Sequence, residues 1–473
     1  MSIRKNIFYN IILTSSSVIF PLITFPYVTR VLGPGNYGNV NFIDAIIQYL
    51  LILSTLGIPI YGIREVSRLK GAKKELTILV FELLAIQLTL TVIAVVSIVF
   101  LTSYFVVESN YNMLLYIGSL ILFFNIFVWD WFYQGMELYS YISYRSVLSK
   151  ILVVLFILAF VQEKSDFNIY YFSFVVGLII TGGFNITYFF KNFYQPSRAT
   201  LNVKRHLRPL LLIFFINLSV SFYTLFDTMI LGFIDSNVSV GYYSFSIRLV
   251  KIFWTLVSAV GLVLIPRLSI LIDEERFEEV NNLMTKSLNV ILILCIPFAG
   301  FAMYFSKDIV LLISGHEFSE SYKSLAILSL LPLIIGVTNV FGIQFLMPMK
   351  KEKHILTATM VGMFVSLSLN FALIPYLSEV GAAISCLISE SVVCFIIFLY
   401  SRRFIQITID RGLIILIFTS FLLSAPLVFW VGLHLSSTFT MLTSVIIYLL
   451  ILLTVNYYIF KNKFINDQLR LIL

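Results

Sequence analysis

The chain has 473 residues, of which 59% are hydrophobic and only 12% charged, with a mean hydropathy of +0.98. Soluble globular chains carry about twice that charged fraction, and a water-soluble fold of this length could not hide so much apolar surface. The net charge of +8 comes from basic residues scattered between apolar runs, not gathered in a domain. It is therefore the topogenic charge of a membrane protein, and nucleic acid is excluded as a partner.

A span needs about 20 apolar residues at 1.5 Å rise each. Arg4 and Lys5 precede the first such stretch, 7–31. It lacks a small-residue cleavage site, so it reads as a retained first helix rather than a signal peptide. Further spans are predicted at 40–60, 76–102, 112–135, 146–161, 169–190, 209–233 and 241–265, then at 288–305, 324–347, 355–375, 380–399, 412–430 and 438–460. The expected fold is an all-α polytopic membrane protein of about fourteen transmembrane helices. The fifth span is short and the thirteenth contains Pro426, which keeps a count of twelve open. The intervening segment 272–285, with Asp273, Glu274, Glu275, Glu278 and Glu279, is predicted to be a separate, solvated cytoplasmic helix.

Charge supports this count. With both termini in the cytoplasm, four of the 32 Lys and Arg (Arg30, Lys164, Lys307 and Lys323) fall outside, and Arg248 and Lys251 lie within a span. The remaining 26 are all inside, as the positive-inside rule requires. A wrong helix count would scramble that split downstream.

A short internal repeat divides the chain. Thr29-Arg30-Val31-Leu32-Gly33 precedes Tyr37-Gly38, and Thr228-Met229-Ile230-Leu231-Gly232 precedes Gly241-Tyr242. Both stretches close the first helix of a set of six. Two six-helix lobes, 1–205 and 206–403, are expected to be related by an axis along the membrane normal with a site between them. Residues 404–473 form two additional C-terminal helices.

No catalytic signature is present. Cys295, Cys386 and Cys394 lie inside apolar segments, and His206, His316, His354 and His434 have no metal-ligand spacing, so neither a metal nor a disulfide framework is expected. The outer loops are short, with no room for the catalytic loop of a polymerase or glycosyltransferase. The chain is expected not to be an enzyme and to need no cofactor. Without a nucleotide-binding motif, a sodium or proton gradient, the membrane potential or the substrate gradient must supply the energy.

Ionisable groups inside spans are costly and functional by default. Lys251 sits roughly 15 Å deep, near the midplane, and Arg248 lies one turn shallower on the same face. Glu390 is near the midplane, Asp44 and Asp227 are in the outer third, and Arg30 is near the outer end of helix one. Glu82 and Asp130 lie closer to the cytoplasmic side. Two polar stripes run with them: Asn41, Asp44 and Gln48 on helix two, and Asn217, Ser221, Thr224 and Thr228 on helix seven. The expected site is a cationic cavity in which Lys251, Arg248 and Arg30 hold an anionic head group. Asp44, Glu390 and Asp227 are the candidate ion-coupling carboxylates. The competing reading pairs Arg30 with Asp44, and Arg248 with Asp227, as structural ion pairs.

Several short motifs then resemble the bacterial polysaccharide repeat-unit flippases. They are Arg30-Val31-Leu32-Gly33-Pro34 with Tyr37-Gly38, and Gln134-Gly135-Met136-Glu137. Val240-Gly241-Tyr242-Tyr243 through Arg248-Leu249, Leu264-Ile265-Pro266-Arg267-Leu268, and Gly315-His316-Glu317-Phe318 through Ser321 and Leu325 complete the set. The resemblance implies membership of the multidrug, oligosaccharidyl-lipid and polysaccharide exporter superfamily. It implies a flippase carrying undecaprenyl-diphosphate-linked oligosaccharide (O-antigen or capsule repeat units) from the cytoplasmic to the periplasmic leaflet of a bacterial inner membrane. It also implies membrane lipids as surroundings and a polysaccharide polymerase and chain-length proteins as partners. An ion-coupled multidrug exporter and a lipid II-type flippase of the same superfamily are the alternatives; the two extra helices point toward the second.

Overall fold

A computed structural model describes residues 3–104, 109–196, 201–262, 264–405, 410–434, 437–460 and 465. Among them the regular structure is helical throughout. Ten stretches are long and apolar enough to cross a membrane. Two of these, Ile12–Arg68 and Glu352–Ser401, run to 57 and 50 residues, more than twice what one crossing needs. Each contains a break in helical geometry, at Gly33 (φ 71°) and Ser378 (φ 50°), so each supplies two spans. Helices Lys204–Ile234 and Asn237–Leu262, of 31 and 26 residues, bring the described total to the expected fourteen.

Packing divides the chain into two compact units, Met1–Gly241 and Tyr242–Leu473. The first is built from α1 (Ile3–Thr55), α2 (Ile58–Arg68), α3 (Lys73–Tyr104), α4 (Ser109–Asn125), α5 (Asp130–Gly135), α6 (Tyr139–Phe160), α7 (Phe167–Asn192) and α8 (Lys204–Ile234). Pro21 and Pro26 lie within α1, where neighbouring helices shield the carbonyls a proline leaves without a donor. A core of Val80, Leu83, Phe132, Tyr133 and Phe189 binds α3, α5 and α7 together.

The second unit continues along α9 (Asn237–Leu262) into α10 (Ile265–Asp273), α11 (Phe277–Tyr304), α12 (Ser306–Ser314), α13 (Tyr322–Leu328), α14 (Leu331–Phe341), α15 (Glu352–Ser401), α16 (Arg411–Gly432) and α17 (Ser437–Val455). The C-terminal pair is packed into this unit through Leu288, Leu292, Leu416, Ile417 and Tyr448, and the Phe421 ring lies over Gly300.

The expected separate helix at 272–285 is not formed. The chain breaks at 274–276, where Glu275 takes φ 57° and Arg276 pairs with Glu274 at 2.9 Å and with Glu279. Residues 277–285 are instead the first turns of α11. The reason is burial: Val280 and Met284 are fully covered, so the apolar face of the span begins before the acidic residues end.

The two sequence repeats fold differently. Gly33 uses its freedom from a Cβ to turn the chain at positive φ. Gly232 stays helical and lets Phe42 lie against the α8 backbone; a Cβ there would meet that ring at 2.1 Å. Gly38 and Gly241 serve a third purpose. A Cβ on Gly38 would stand 1.7 Å from the Asn237 carbonyl oxygen, and one on Gly241 would stand 2.1 Å from that of Pro34. Because the opposing atoms are backbone, the clash cannot be relieved by a rotamer change. Gly38→Val and Gly241→Val are therefore expected to lose most detergent-extractable folded protein. Gly183→Ala, where a Cβ meets nothing within 4 Å, serves as the control. Normal monodisperse yields of both valine variants would contradict this.

Candidate functional site

α9 carries Arg248 and Lys251, one turn apart on one face. Arg248 is half-buried and Lys251 exposed, and Lys251 lies roughly 21 Å along the helix from its start at Asn237. The start of α9 is fixed by the 315–321 motif. Tyr242 Oη donates to the Glu317 carbonyl at 3.2 Å, and Ser246 Oγ donates to that of Ser321 at 3.0 Å. Phe318 packs against both Tyr242 and Phe245. Two of the sequence motifs thus form one joint that sets the rotation of the helix bearing the cations. Glu390, in α15 of the same unit, is 5% exposed.

In the first unit Arg30 is exposed near the end of the first half of α1. Asp44 is half-buried in the second half, where it accepts a hydrogen bond from Tyr171 Oη at 3.3 Å. Asp227 on α8 is 2% exposed. α1 and α8 pack through Phe42 on Phe233 and Tyr49 on Phe226, with ring centroids 5.1 and 6.5 Å apart. Asp44 and Asp227 therefore sit on adjacent helices. Of the helix-two stripe, Asn41 donates to the Tyr37 carbonyl at 2.7 Å, while Gln48 faces a cavity. The side chains of Asn217, Ser221 and Thr224 lie outside the described residues; Thr228 is half-buried.

That cavity holds about 310 Å³, and its polar lining is Gln48, Thr55, Asn125, Asp130 and Gln134, with Trp131 beside them. It is braced from behind. Asp130 Oδ1 accepts from Arg145 at 2.6 Å, and Arg145, whose side chain is 3% exposed, also donates to Asn185 Oδ1. The Trp131 ring rests on Gly62, and Gly135 rests on Val66, locking α5 onto α2. This is the structural content of the 134–137 motif. Its last residue, Glu137, bonds Lys70 at 2.9 Å, and that ammonium holds the carboxyl below its ordinary range.

A second polar cluster joins α3 to α8. Glu82, 1% exposed, accepts from His206 Nε2 at 2.8 Å, Arg205 at 2.5 Å and the Asn202 amide at 2.6 Å. His206 Nδ1 is 2.7 Å from the Tyr61 hydroxyl. A buried carboxylate is stable only with such compensation. Sequence reading placed Glu82 and Asp130 inside spans but could not supply partners. The available signal was that Glu82 is the one acidic residue between positions 76 and 104; His206 lies 124 positions away.

Comparison with known proteins fits this architecture. Residues 3–272 match the family described as polysaccharide biosynthesis protein, and residues 213–372 match MatE. A relative from Escherichia coli strain K12, named as an O-antigen transporter, is 26% identical over 85% of this chain and 97% of its own. The lipid II flippase MurJ, in an inward closed conformation, superposes with a TM-score of 0.78 at 16% identity, covering 96% of this chain and 99% of that one. An inward-facing multidrug resistance MATE family transporter superposes with a TM-score of 0.61 at 14% identity, covering 81% and 94%.

Proposed function

Because the chain belongs to the polysaccharide biosynthesis protein family and is a flippase-class membrane transporter of the exporter superfamily, we propose that it carries undecaprenyl-diphosphate-linked oligosaccharide. In this reading the repeat unit passes from the cytoplasmic to the periplasmic leaflet of a bacterial inner membrane by alternating access. Both termini lie in the cytoplasm, and polymerase and chain-length proteins take the product onward. The six-helix lobes are 1–205 and 206–403, with 404–473 added. They are defined by the sequence repeat, whereas contact alone groups α8 with the first unit.

One observation carries the proposal: Lys251 is exposed in the middle of an apolar helix. A charged side chain at the centre of a spanning helix costs at least about 2.5–3.5 kcal/mol against lipid. An exposed lysine there belongs on an aqueous path where an anion can meet it. Arg248 and Arg30 are the further candidates for the diphosphate, an arginine fork suiting its paired oxygens. Asp44, Glu390 and Asp227 are candidates for coupling transport to sodium or protons.

The test is reconstitution in proteoliposomes. Fluorescent undecaprenyl-diphosphate oligosaccharide should become accessible in the opposite leaflet, and cationic dyes should not move. Dye transport down an ion gradient with the glycolipid stationary would instead make the protein a multidrug exporter. Elongation of the glycan by the purified protein would make it a polymerase.

A further inference from the structure

We propose that the cavity of the first unit, lined by Gln48, Thr55, Asn125, Asp130, Trp131 and Gln134, is a sugar subsite. It would receive a hydroxyl-rich ring of the lipid-linked glycan, separately from the cations on α9. This inference rests on the flippase reading.

Chemistry selects the ligand class. The amides of Gln48, Asn125 and Gln134 each donate and accept hydrogen bonds, and the Thr55 hydroxyl, which donates to the Leu51 carbonyl at 2.8 Å, can still accept. Sugar hydroxyls do the same, so one ring can satisfy several of these groups at once. Asp130 adds a further acceptor, its charge offset by Arg145 at 2.6 Å, while no lysine or arginine is in the lining. A diphosphate would meet no cation in that lining and is disfavoured. Trp131 offers apolar surface to the CH face of a ring. Ligand pockets begin near about 300 Å³, so the volume suits a small part of a repeat unit rather than the whole.

Rigidity argues that the space is a built site. Arg145, itself bonded to Asn185, fixes Asp130 from behind, and Gly62 seats Trp131. Polar groups held in place before binding lose little entropy when a ligand arrives. The cavity lies beside α2, the helix that carries Arg64 and Arg68. In the proposed orientation this is the cytoplasmic end, where the glycolipid enters.

The experiment measures binding by the full-length protein in detergent, using undecaprenyl diphosphate with and without its oligosaccharide. The wild type should bind the glycosylated lipid more tightly. Gln48→Leu with Asn125→Ala should reduce that preference about tenfold or more while leaving affinity for the sugar-free lipid unchanged. Retained sugar-free binding also shows that the variant is folded. Asp130 is left intact because it neutralises Arg145. A variant that keeps the full preference, or a wild type with none, would overturn the subsite while leaving a lipid diphosphate as substrate. A wild type that binds neither lipid would overturn the flippase reading and the subsite with it.

Discussion

Under the proposed function, Lys251→Ala is expected to stop export of polysaccharide repeat units while the protein still inserts at wild-type levels. The side chain is exposed on α9. One charge-assisted hydrogen bond is worth roughly 1.5–3 kcal/mol, or about a ten- to hundredfold change in affinity. At a diphosphate the loss falls at the upper end, because both partners are charged. Lys251→Arg keeps the charge and should retain part of the activity, whereas Lys251→Gln should resemble alanine. Surface polysaccharide staining in a strain carrying only the variant, alongside quantitation of the membrane-inserted protein, checks both. Normal polysaccharide from the alanine strain would remove the cation from the mechanism.

The second large effect concerns stability, and its sign depends on which partner of one ion pair is removed. Arg145 and Asp130 are 2.6 Å apart, but their side chains are 3% and 39% exposed. Removing Asp130 leaves a buried guanidinium with its Asn185 hydrogen bond and no counter-charge. Deleting one partner of a buried pair in this way costs roughly 3–5 kcal/mol. Removing Arg145 leaves a carboxylate that opens onto the cavity and can rehydrate, so Arg145→Leu should cost only about 1–2 kcal/mol. Asp130→Ala combined with Arg145→Leu should then be more stable than Asp130→Ala alone, a coupling that a double-mutant cycle isolates. Unfolding midpoints of the detergent-solubilised variants measure the order. A greater loss for Arg145→Leu would show that exposure does not decide the cost.

The same contrast explains which parts of the site could be read in advance. Arg248 and Lys251 stood out because a charge inside an apolar run is visible without knowing any partner. Glu82 and Asp130 were visible by the same rule, but their meaning was not. Glu82 is completed by Asn202, Arg205 and His206, and Asp130 by Arg145, which Asn185 holds in turn. Those partners come from other helices and from the segment before α8, and helical periodicity says nothing of which face meets which. The spacing of His206 excluded a metal role, but only the packing of α8 against α3 gives it Glu82 as a partner. The 272–285 segment was misread for a related reason: its acidic residues signal solvent, while Val280 and Met284 on the other face are already in the core.

What the sequence determined by itself is the transverse order of the molecule: helices, their number, and the placement of positive charge at alternate ends. Lipid imposes these on any apolar chain, because backbone groups must be satisfied within each span and charge resists crossing. What only the tertiary structure decided is lateral. Helix-to-helix packing chose Gly38 and Gly241 for close approach rather than turning. It joined the 315–321 motif to the start of α9, and it gathered Gln48, Asn125, Asp130 and Gln134 around one cavity. In a membrane the surrounding lipid is as apolar as the helix surfaces, so these choices rest on small residues and buried polar contacts. Such contacts join residues far apart in the chain, and local pattern cannot show them.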